Sequence, residues 1–224
     1  MNIFSKWEAV DNYFVEKLIP HDDVLDSVLR ANAEAGLPAI DVSPTQGKLL
    51  HLLAKIQGAK TILEIGTLGG YSTIWLARAL PGDGRLITLE YEPKHAKVAQ
   101  TNLEKAGMAH KVQILVGPAL DSLPRLSSMG FDTFDLIFID ADKPNNPNYL
   151  KWSLELSRAG TLIIGDNVVR DGEVVNESSQ NASVLGTRQF FDLLANEPRI
   201  QATAIQTVGS KGYDGFALGV VVKK

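Results

Sequence analysis

The 224-residue sequence predicts an α/β fold in which a mostly parallel sheet carries helices on both faces. Short apolar runs alternate with segments of helical periodicity from Lys60 onward. A glycine-rich turn follows the first apolar run, and acidic side chains follow two later ones. Ligands bind beyond the carboxyl ends of the strands in open sheets of this class, so we expect these segments to meet in one crevice.

The N-terminal part of the chain is expected to be helical. Apolar residues at helical spacing predict three helices, at 5–19, 22–35 and 44–57. Ser43 followed by Pro44 is typical of a helix start, with proline at the first helical position. We expect one domain, 1–224, composed of N-terminal helices at 1–58 and an α/β core at 59–224.

The core is predicted to alternate strands with helices. The predicted strands are 61–65, 85–90, 112–116, 136–139, 161–164, 201–207 and 216–222. The predicted helices are 71–79, 93–106, a short one ending near 127, 147–157 and 183–195. The last two strands should pair as an antiparallel hairpin through 210–215, which makes a seven-stranded, mostly parallel sheet with an antiparallel C-terminal end.

Composition narrows the classes of function. The chain has no cysteine, which excludes disulfides, thiolate catalysis and cysteine zinc sites and is compatible with a cytoplasmic protein. The net charge of −4 argues against a broad nucleic-acid surface. No apolar run approaches the roughly 20 residues of a membrane helix, and the first twenty residues lack the apolar core of a signal peptide. We therefore expect no membrane partner.

The first strand ends in a glycine turn that suits a nucleotide-like ligand. Gly66 and Gly70 let the backbone approach a ligand closely, and the helix start at Tyr71-Ser72 presents free N–H groups to an anion. Leu68 occupies the place of the second glycine of the dinucleotide fingerprint, which disfavours pyrophosphate and leaves a carboxylate plausible. A tight turn without a ligand explains the glycines equally well.

An acidic residue at the end of the second strand supports the ligand interpretation. Glu90 stands 24 positions after Gly66, a place that suits hydrogen bonds to ribose hydroxyls. The alternative is a solvated loop carboxylate, since Glu92 lies beside it.

Hard oxygen ligands follow the fourth and fifth strands. Asp140, Asp166 and Asn167 supply two carboxylates and an amide, a set that suits Mg²⁺ and also Mn²⁺ or Ca²⁺. The alternative is structural, with Asp140 capping a helix and Asp166-Asn167 forming a turn.

Together these motifs resemble the cation-dependent class I O-methyltransferases, the relatives of catechol and caffeoyl-CoA O-methyltransferases. The resemblance rests on the turn around Gly66, on Glu90, on Asp140-Ala141-Asp142-Lys143 and on Asp166-Asn167, and it is closer to bacterial than to plant members. It implies a Rossmann-like class I methyltransferase fold, S-adenosylmethionine as methyl donor, a divalent metal and a homodimer.

The resemblance also assigns roles to residues. The donor-binding residues it implies are Val42, Glu64, Gly66, Thr67, Gly70, Tyr71, Ser72, Glu90, Pro118, Ala119 and Asp140. The metal ligands it implies are Asp140, Asp166 and Asn167. Lys143 matches the lysine beside the acceptor hydroxyl, where a dication and partial desolvation would favour its neutral form as general base. Lys143 and Asp140 are therefore the expected catalytic residues.

The expected acceptor is a small phenol with two neighbouring hydroxyls, of the catechol or hydroxycinnamoyl type. Arg170 stands where many relatives carry tryptophan, Phe191 where they often carry asparagine, and the loop 144–148 is distinctive. Arg170 suits either an anionic acceptor or a solvated loop. Of the four histidines, only His21 is kept as a candidate to line the acceptor site.

Three other functions stay open from the sequence. Some bacterial relatives methylate a modified tRNA uridine, although the acidic net charge counts against tRNA. An NAD-dependent dehydrogenase is disfavoured by Leu68 and by Asp166-Asn167. A non-catalytic nucleotide-binding protein is disfavoured by the intact set of Asp140, Lys143, Asp166 and Asn167.

Overall fold

The computed structural model describes residues 2–223 and confirms the predicted fold class. Its seven strands within these residues form one sheet in the order β3-β2-β1-β4-β5-β7-β6. The strands are β1 Thr61–Ile65, β2 Arg85–Glu90, β3 Val112–Val116, β4 Phe134–Ile139, β5 Ser157–Asp166, β6 Ile200–Gly209 and β7 Gly212–Val221. Strands β1 to β5 pair in parallel, and β7 runs antiparallel to both β5 and β6.

The helices cover both faces of this sheet. They are α1 Ile3–Leu18, α2 Asp23–Glu34, α3 Pro44–Gln57, α4 Tyr71–Ala79, α5 Pro93–Lys105, α6 Ala119–Ser122, α7 Asn146–Glu155 and α8 Ala182–Asn196. Short 3-10 turns occupy Leu123–Arg125, Ser127–Met129, Lys143–Asn145 and Glu173–Val175. Among residues 2–223, no helix combines the length and apolarity needed to cross a membrane.

Strands β1, β2 and β3 have the predicted bounds, whereas the later strands are longer than predicted. Strand β5 begins at Ser157 rather than at 161. The helix before it, predicted to extend to 157, ends at Glu155. Polar residues start this strand because Arg158 Nη2 bonds Asp135 Oδ1 at 2.5 Å and the strand pairs with β4 across an irregular register. The hairpin between β6 and β7 turns through two residues after Gly209, so the predicted 210–215 turn was too long.

Local signals explain how the N-terminal helices begin and end. Ser43 and Gln46 form a capping box at the start of α3, with Pro44 in its first turn. Gly58 ends α3 in the left-handed conformation, at φ +63°. This cap coincides with the proposed division at 58/59, and the division itself stays a prediction.

The core consists of two apolar layers, one on each face of the sheet. Successive residues of the central strands alternate between the layers, as the pleat requires. In β4, for example, Leu136 and Phe138 face one layer while Ile137 and Ile139 face the other. Because both faces are covered, the open carboxyl edge of the parallel strands is left for a ligand.

Candidate active site

A cavity of about 740 Å³ opens at the carboxyl edge of the sheet. This volume suits a small-molecule site. Most of the predicted site residues line it: Val42, Gly66, Thr67, Tyr71, Ser72, Glu90, Pro118, Ala119, Asp140, Lys143 and Asn167. The crevice expected from the strand order therefore brings the glycine turn and the acidic strand ends together.

Three predicted residues lie behind the wall of the cavity instead of on it. Glu64 is fully buried, Gly70 begins α4 in the left-handed conformation, and the Asp166 side chain is 3% exposed. Glu64 and Gly70 would therefore influence a ligand through the residues that they hold in place, whereas Asp166 directly precedes Asn167, which lines the cavity.

The glycine turn is shaped by collisions that any side chain would cause. Gly66 has φ +104°, and a Cβ there would stand 2.0 Å from the carbonyl oxygen of Asp140. At Gly69, a Cβ would stand 1.9 Å from Asn32 Oδ1. Leu68 between them takes φ +49°, an uncommon conformation for leucine. The turn thus packs directly against the end of β4, where the predicted metal ligand Asp140 lies.

Glu90 holds this turn from the neighbouring strand. Its Oε2 accepts the N–H groups of Thr67 at 3.1 Å and Leu68 at 2.7 Å, and its Oε1 accepts the N–H of Glu92 at 2.9 Å. The ring of His95 lies 3.4 Å from Oε1. A carboxylate has about four lone-pair sites, so Glu90 retains capacity to accept from a ligand hydroxyl.

Glu64 is a buried carboxyl surrounded by hydroxyls. Ser72 and Thr88 donate to it at 2.7 Å and Thr73 at 2.5 Å. Burial raises the pKa of Glu64 to about 7, against the opposing effect of these hydrogen bonds. Glu64 thereby fixes Ser72, which lines the cavity at the start of α4.

The predicted metal ligands meet at the ends of β4 and β5. Ile139 of β4 pairs with Gly165 of β5. The residues that come next, Asp140 and Asp166, therefore lie side by side at the carboxyl ends of the two strands. Lys143 Nζ lies 3.0 Å from Asp140 Oδ1. Each carboxylate oxygen of Asp166 lies 3.2 Å from Gln46 Nε2, and Oδ1 also accepts the Asn167 N–H at 2.8 Å.

The donor set at this edge fits a divalent cation. Burial, and after it the negative charge of the Asp140 carboxylate, raises the pKa of Asp166, and the nearby positive charge of Lys143 opposes this rise. Asn167 lines the cavity at φ +53°, and its side-chain amide makes no hydrogen bond within residues 2–223. No group of three His, Cys, Asp or Glu side chains that could hold a metal ion occurs within residues 2–223, so Asn167 would be the third oxygen ligand.

The loop that follows β5 is held in an uncommon conformation. Asn167, Arg170 and Asp171 are three of the four non-glycine residues within 2–223 with positive φ. Asp214 Oδ1 accepts the N–H groups of Val169 at 2.9 Å and Arg170 at 3.2 Å, which fixes the loop. Strained backbone of this kind is typical of functional sites.

Several cavity residues escaped the sequence analysis. His95 was set aside with the other histidines, although its place in the first turns of the helix after Glu90 could have indicated it. Asp142 accepts from Tyr149 Oη at 2.5 Å, and both line the cavity. Asp41 also lines it and is bonded by Asn32 Nδ2 at 2.8 Å, a contact with no local sequence signal.

Two residues that the sequence analysis singled out, His21 and Phe191, do not line the cavity. The prediction for His21 was wrong, because its ring is 74% exposed and pairs with Asp23 and Asp26. Phe191 is half-buried and packs edge-on against Phe190, with ring centroids 5.8 Å apart. From the distinctive loop 144–148, Asn145 lines the cavity.

The family of the chain follows from comparison with known proteins. A sequence model of the family described as O-methyltransferase matches residues 16–218. The chain is 55% identical over 215 residues to a catechol O-methyltransferase of Niastella koreensis, which covers 96% of this chain and 97% of that protein.

Solved structures agree with this match. An O-methyltransferase from Bacillus cereus in complex with SAH is 58% identical, with a TM-score of 0.97 over 98% of this chain and 100% of that one. The O-methyltransferase TomG from Streptomyces achromogenes, in complex with SAM, is 50% identical, with a TM-score of 0.96 over 99% and 100%. The Rossmann-like class I prediction is confirmed, and the dehydrogenase interpretation is disfavoured. The chain belongs to the O-methyltransferase family.

Proposed function

We propose that this protein transfers a methyl group from S-adenosylmethionine to one hydroxyl of a catechol or hydroxycinnamoyl-type vicinal diol, with a divalent metal. The observation that carries the proposal is the shared cavity, which is lined both by the glycine turn and Glu90 and by Asp140, Lys143 and Asn167. The relatives named catechol O-methyltransferase, and the neighbours in complex with SAH and SAM, support the same reaction.

The donor would be held by backbone and by acidic side chains. The N-terminus of α4 has no side-chain cap, and Tyr71 and Ser72 at its start line the cavity, so its free N–H groups would suit the donor's carboxylate. The Glu90 carboxylate would accept hydrogen bonds from the ribose hydroxyls. Pro118 and Ala119 lie at the start of α6 on the cavity wall and would pack against the adenine.

Asp140, Asp166 and Asn167 would hold the metal, preferably Mg²⁺. A divalent cation bound there would stabilise the deprotonated hydroxyl of the acceptor and orient it. The chain itself supplies the base. Lys143 is 6% exposed and lies 3.0 Å from Asp140, and in its neutral amine form, which a dication bound beside it would favour over the ammonium, it would accept the hydroxyl proton.

The transfer needs no covalent intermediate on the protein. The acceptor oxygen forms a bond to the methyl carbon as the sulfonium carbon–sulfur bond breaks, and the sulfur keeps the electron pair. The proton of the hydroxyl passes to Nζ of Lys143. Holding donor and nucleophile in line supplies an effective concentration that can lower the barrier by up to about 7–11 kcal/mol.

We also propose that two copies of the chain associate. Helix α1 packs on β6 and α3 but has no buried residue, and its apolar side chains Phe4, Tyr13 and Leu18 are 58–68% exposed. A second copy would cover this surface. Light scattering should give twice the chain mass, and a monomer at all concentrations would contradict the pairing.

The reaction is tested with labelled S-adenosylmethionine, Mg²⁺ and a panel of catechol, caffeate and caffeoyl-CoA. We expect label in at least one acceptor, and the products rank the acceptors. A matched compound with a single hydroxyl should receive no label, because it lacks the second oxygen of the vicinal pair. Equal transfer to the single-hydroxyl compound would contradict the vicinal-diol acceptor.

A further inference from the structure

Arg170 is a charged residue of the cavity that the reaction described above does not use. It lies three residues after Asn167 in the loop beyond β5, and it lines the same cavity as Asn167 and Lys143. Its side chain is half-buried. The residue therefore shares one loop with the proposed metal ligand Asn167 and lines the same cavity.

The guanidinium of Arg170 has no partner in the described chain. No ion pair or side-chain hydrogen bond engages it within residues 2–223, and its Nε is buried without a partner. A buried donor left unsatisfied is costly, and a buried cation more so. A guanidinium presents its donors as a planar fork that matches a carboxylate with two parallel hydrogen bonds.

The backbone beneath Arg170 is fixed. Arg170 takes φ +56°, and its N–H is held by Asp214 Oδ1, which also accepts from Val169 and Gly215. Gly215 packs closely against β6, since a Cβ on it would stand 2.3 Å from the carbonyl oxygen of Ile205. Because the loop backbone is already held, binding a ligand would have to order only the side-chain torsions of Arg170.

We propose that Arg170 binds a carboxylate carried by the methyl acceptor, so that the enzyme prefers acidic vicinal diols such as dihydroxybenzoates. This inference rests on the proposed function. Arg170 is a specificity-determining residue in it: it binds the far end of the acceptor and takes no part in proton or methyl transfer. The donor also carries a carboxylate, but the start of α4 is available for that group.

The experiment compares 3,4-dihydroxybenzoate with its neutral methyl ester in wild type and Arg170→Gln. Wild type should use the acid more efficiently than the ester. In Arg170→Gln, kcat/KM for the acid should fall about 10- to 100-fold, mostly through KM, as expected for a lost charged hydrogen-bonding pair. The ester should change far less. Arg170→Lys keeps the positive charge but loses the planar pair of donors, so its kcat/KM for the acid should lie between those of wild type and Arg170→Gln.

Two controls separate this role from others. Arg125 is exposed and outside the cavity, so Arg125→Gln removes the same charge and should leave the ratio of acid to ester unchanged. Affinity for S-adenosylhomocysteine should also be unchanged in Arg170→Gln. Weaker binding of that product would assign Arg170 to the donor carboxylate and overturn the proposal.

Other outcomes also decide the matter. Equal loss for acid and ester, or no preference in wild type, would overturn the inference and leave the methyl transfer standing. A loss confined to caffeoyl-CoA, with caffeate unaffected, would assign Arg170 to a phosphate and contradict the carboxylate. If wild type transfers methyl to no diol, the proposed function fails; calorimetry of 3,4-dihydroxybenzoate binding with Mg²⁺ and S-adenosylhomocysteine then tests Arg170 alone, and equal binding by Arg170→Gln overturns it.

Discussion

Replacing Gly66 by alanine should displace the end of β4 and with it the proposed metal ligand Asp140. The added Cβ would lie 2.0 Å from the carbonyl oxygen of Asp140, whereas ordinary contact begins at 3.4 Å. The two backbones must therefore separate by about 1.4 Å, the difference between these distances. Alanine at φ +104° adds about 1–3 kcal/mol of backbone strain, and the collision adds about as much again.

The expected loss in Gly66→Ala is thus about 2–6 kcal/mol in the free energy of unfolding. Turnover should fall about 100-fold in the protein that remains folded, because misplacement by roughly 1 Å is enough for such a loss. Urea unfolding gives the stability, and transfer from labelled S-adenosylmethionine to catechol gives the turnover.

Two other glycines supply matched controls. Gly58→Ala has strain without collision, since φ is +63° and no atom of residues 2–223 lies within 4 Å of the added Cβ. It should lower the free energy of unfolding by about 1–2 kcal/mol and leave turnover unchanged. Gly82→Ala introduces neither backbone strain nor a collision and should leave the free energy of unfolding almost unchanged. If Gly66→Ala lost no more stability than Gly58→Ala and kept its turnover, the packing of the turn against Asp140 would not matter as argued.

Three further changes test individual side chains. Glu90→Ala should weaken S-adenosylhomocysteine binding at least tenfold, because two N–H groups of the turn lose their acceptor along with the ribose; unaltered affinity by calorimetry would refute this. Glu64 has a folded-state pKa of about 7, above its ordinary value of 4.5. The protonated carboxyl therefore contributes fully to the free energy of unfolding below pH 4.5, and this contribution is lost as the pH rises to about 7. The loss is up to about 3 kcal/mol, and Glu64→Gln should remove that part of the pH dependence in urea titrations; identical slopes would contradict it. Lys143→Met should lower turnover strongly and donor affinity little, and an unchanged rate would remove Lys143 from the mechanism.

The parts of the fold with local signals could be predicted from the sequence. Strands β1 to β3 are short apolar runs between polar turns, and their bounds agree with the prediction. The start of β5 could not be predicted, because it pairs with β4 across an irregular register and is held there by the contact of Arg158 with Asp135. Such a contact joins residues 23 positions apart and leaves no periodic pattern.

The site likewise has a part that could be predicted from the sequence and a part that could not. Residues at strand ends, such as Asp140 and Glu90, were found because strand order alone places them at one edge. The sequence could not show the burial or the hydrogen bonding of individual side chains: Glu64 is buried behind Ser72, and within residues 2–223 the buried Nε of Arg170 has no hydrogen-bond partner. Asn32 joins Asp41 to Asn102, which holds the carbonyl of Gly69, and only tertiary packing brings these helices together.

The most direct test of the proposed reaction removes the metal and restores it. Methyl transfer to catechol is measured with wild type and with Asp140→Asn, first in Mg²⁺, then in EDTA, then after Mg²⁺ is added back. We predict transfer by wild type that stops in EDTA and returns with Mg²⁺, and almost none by Asp140→Asn. Undiminished transfer in EDTA, or full transfer by Asp140→Asn, would contradict a metal held by the ends of β4 and β5.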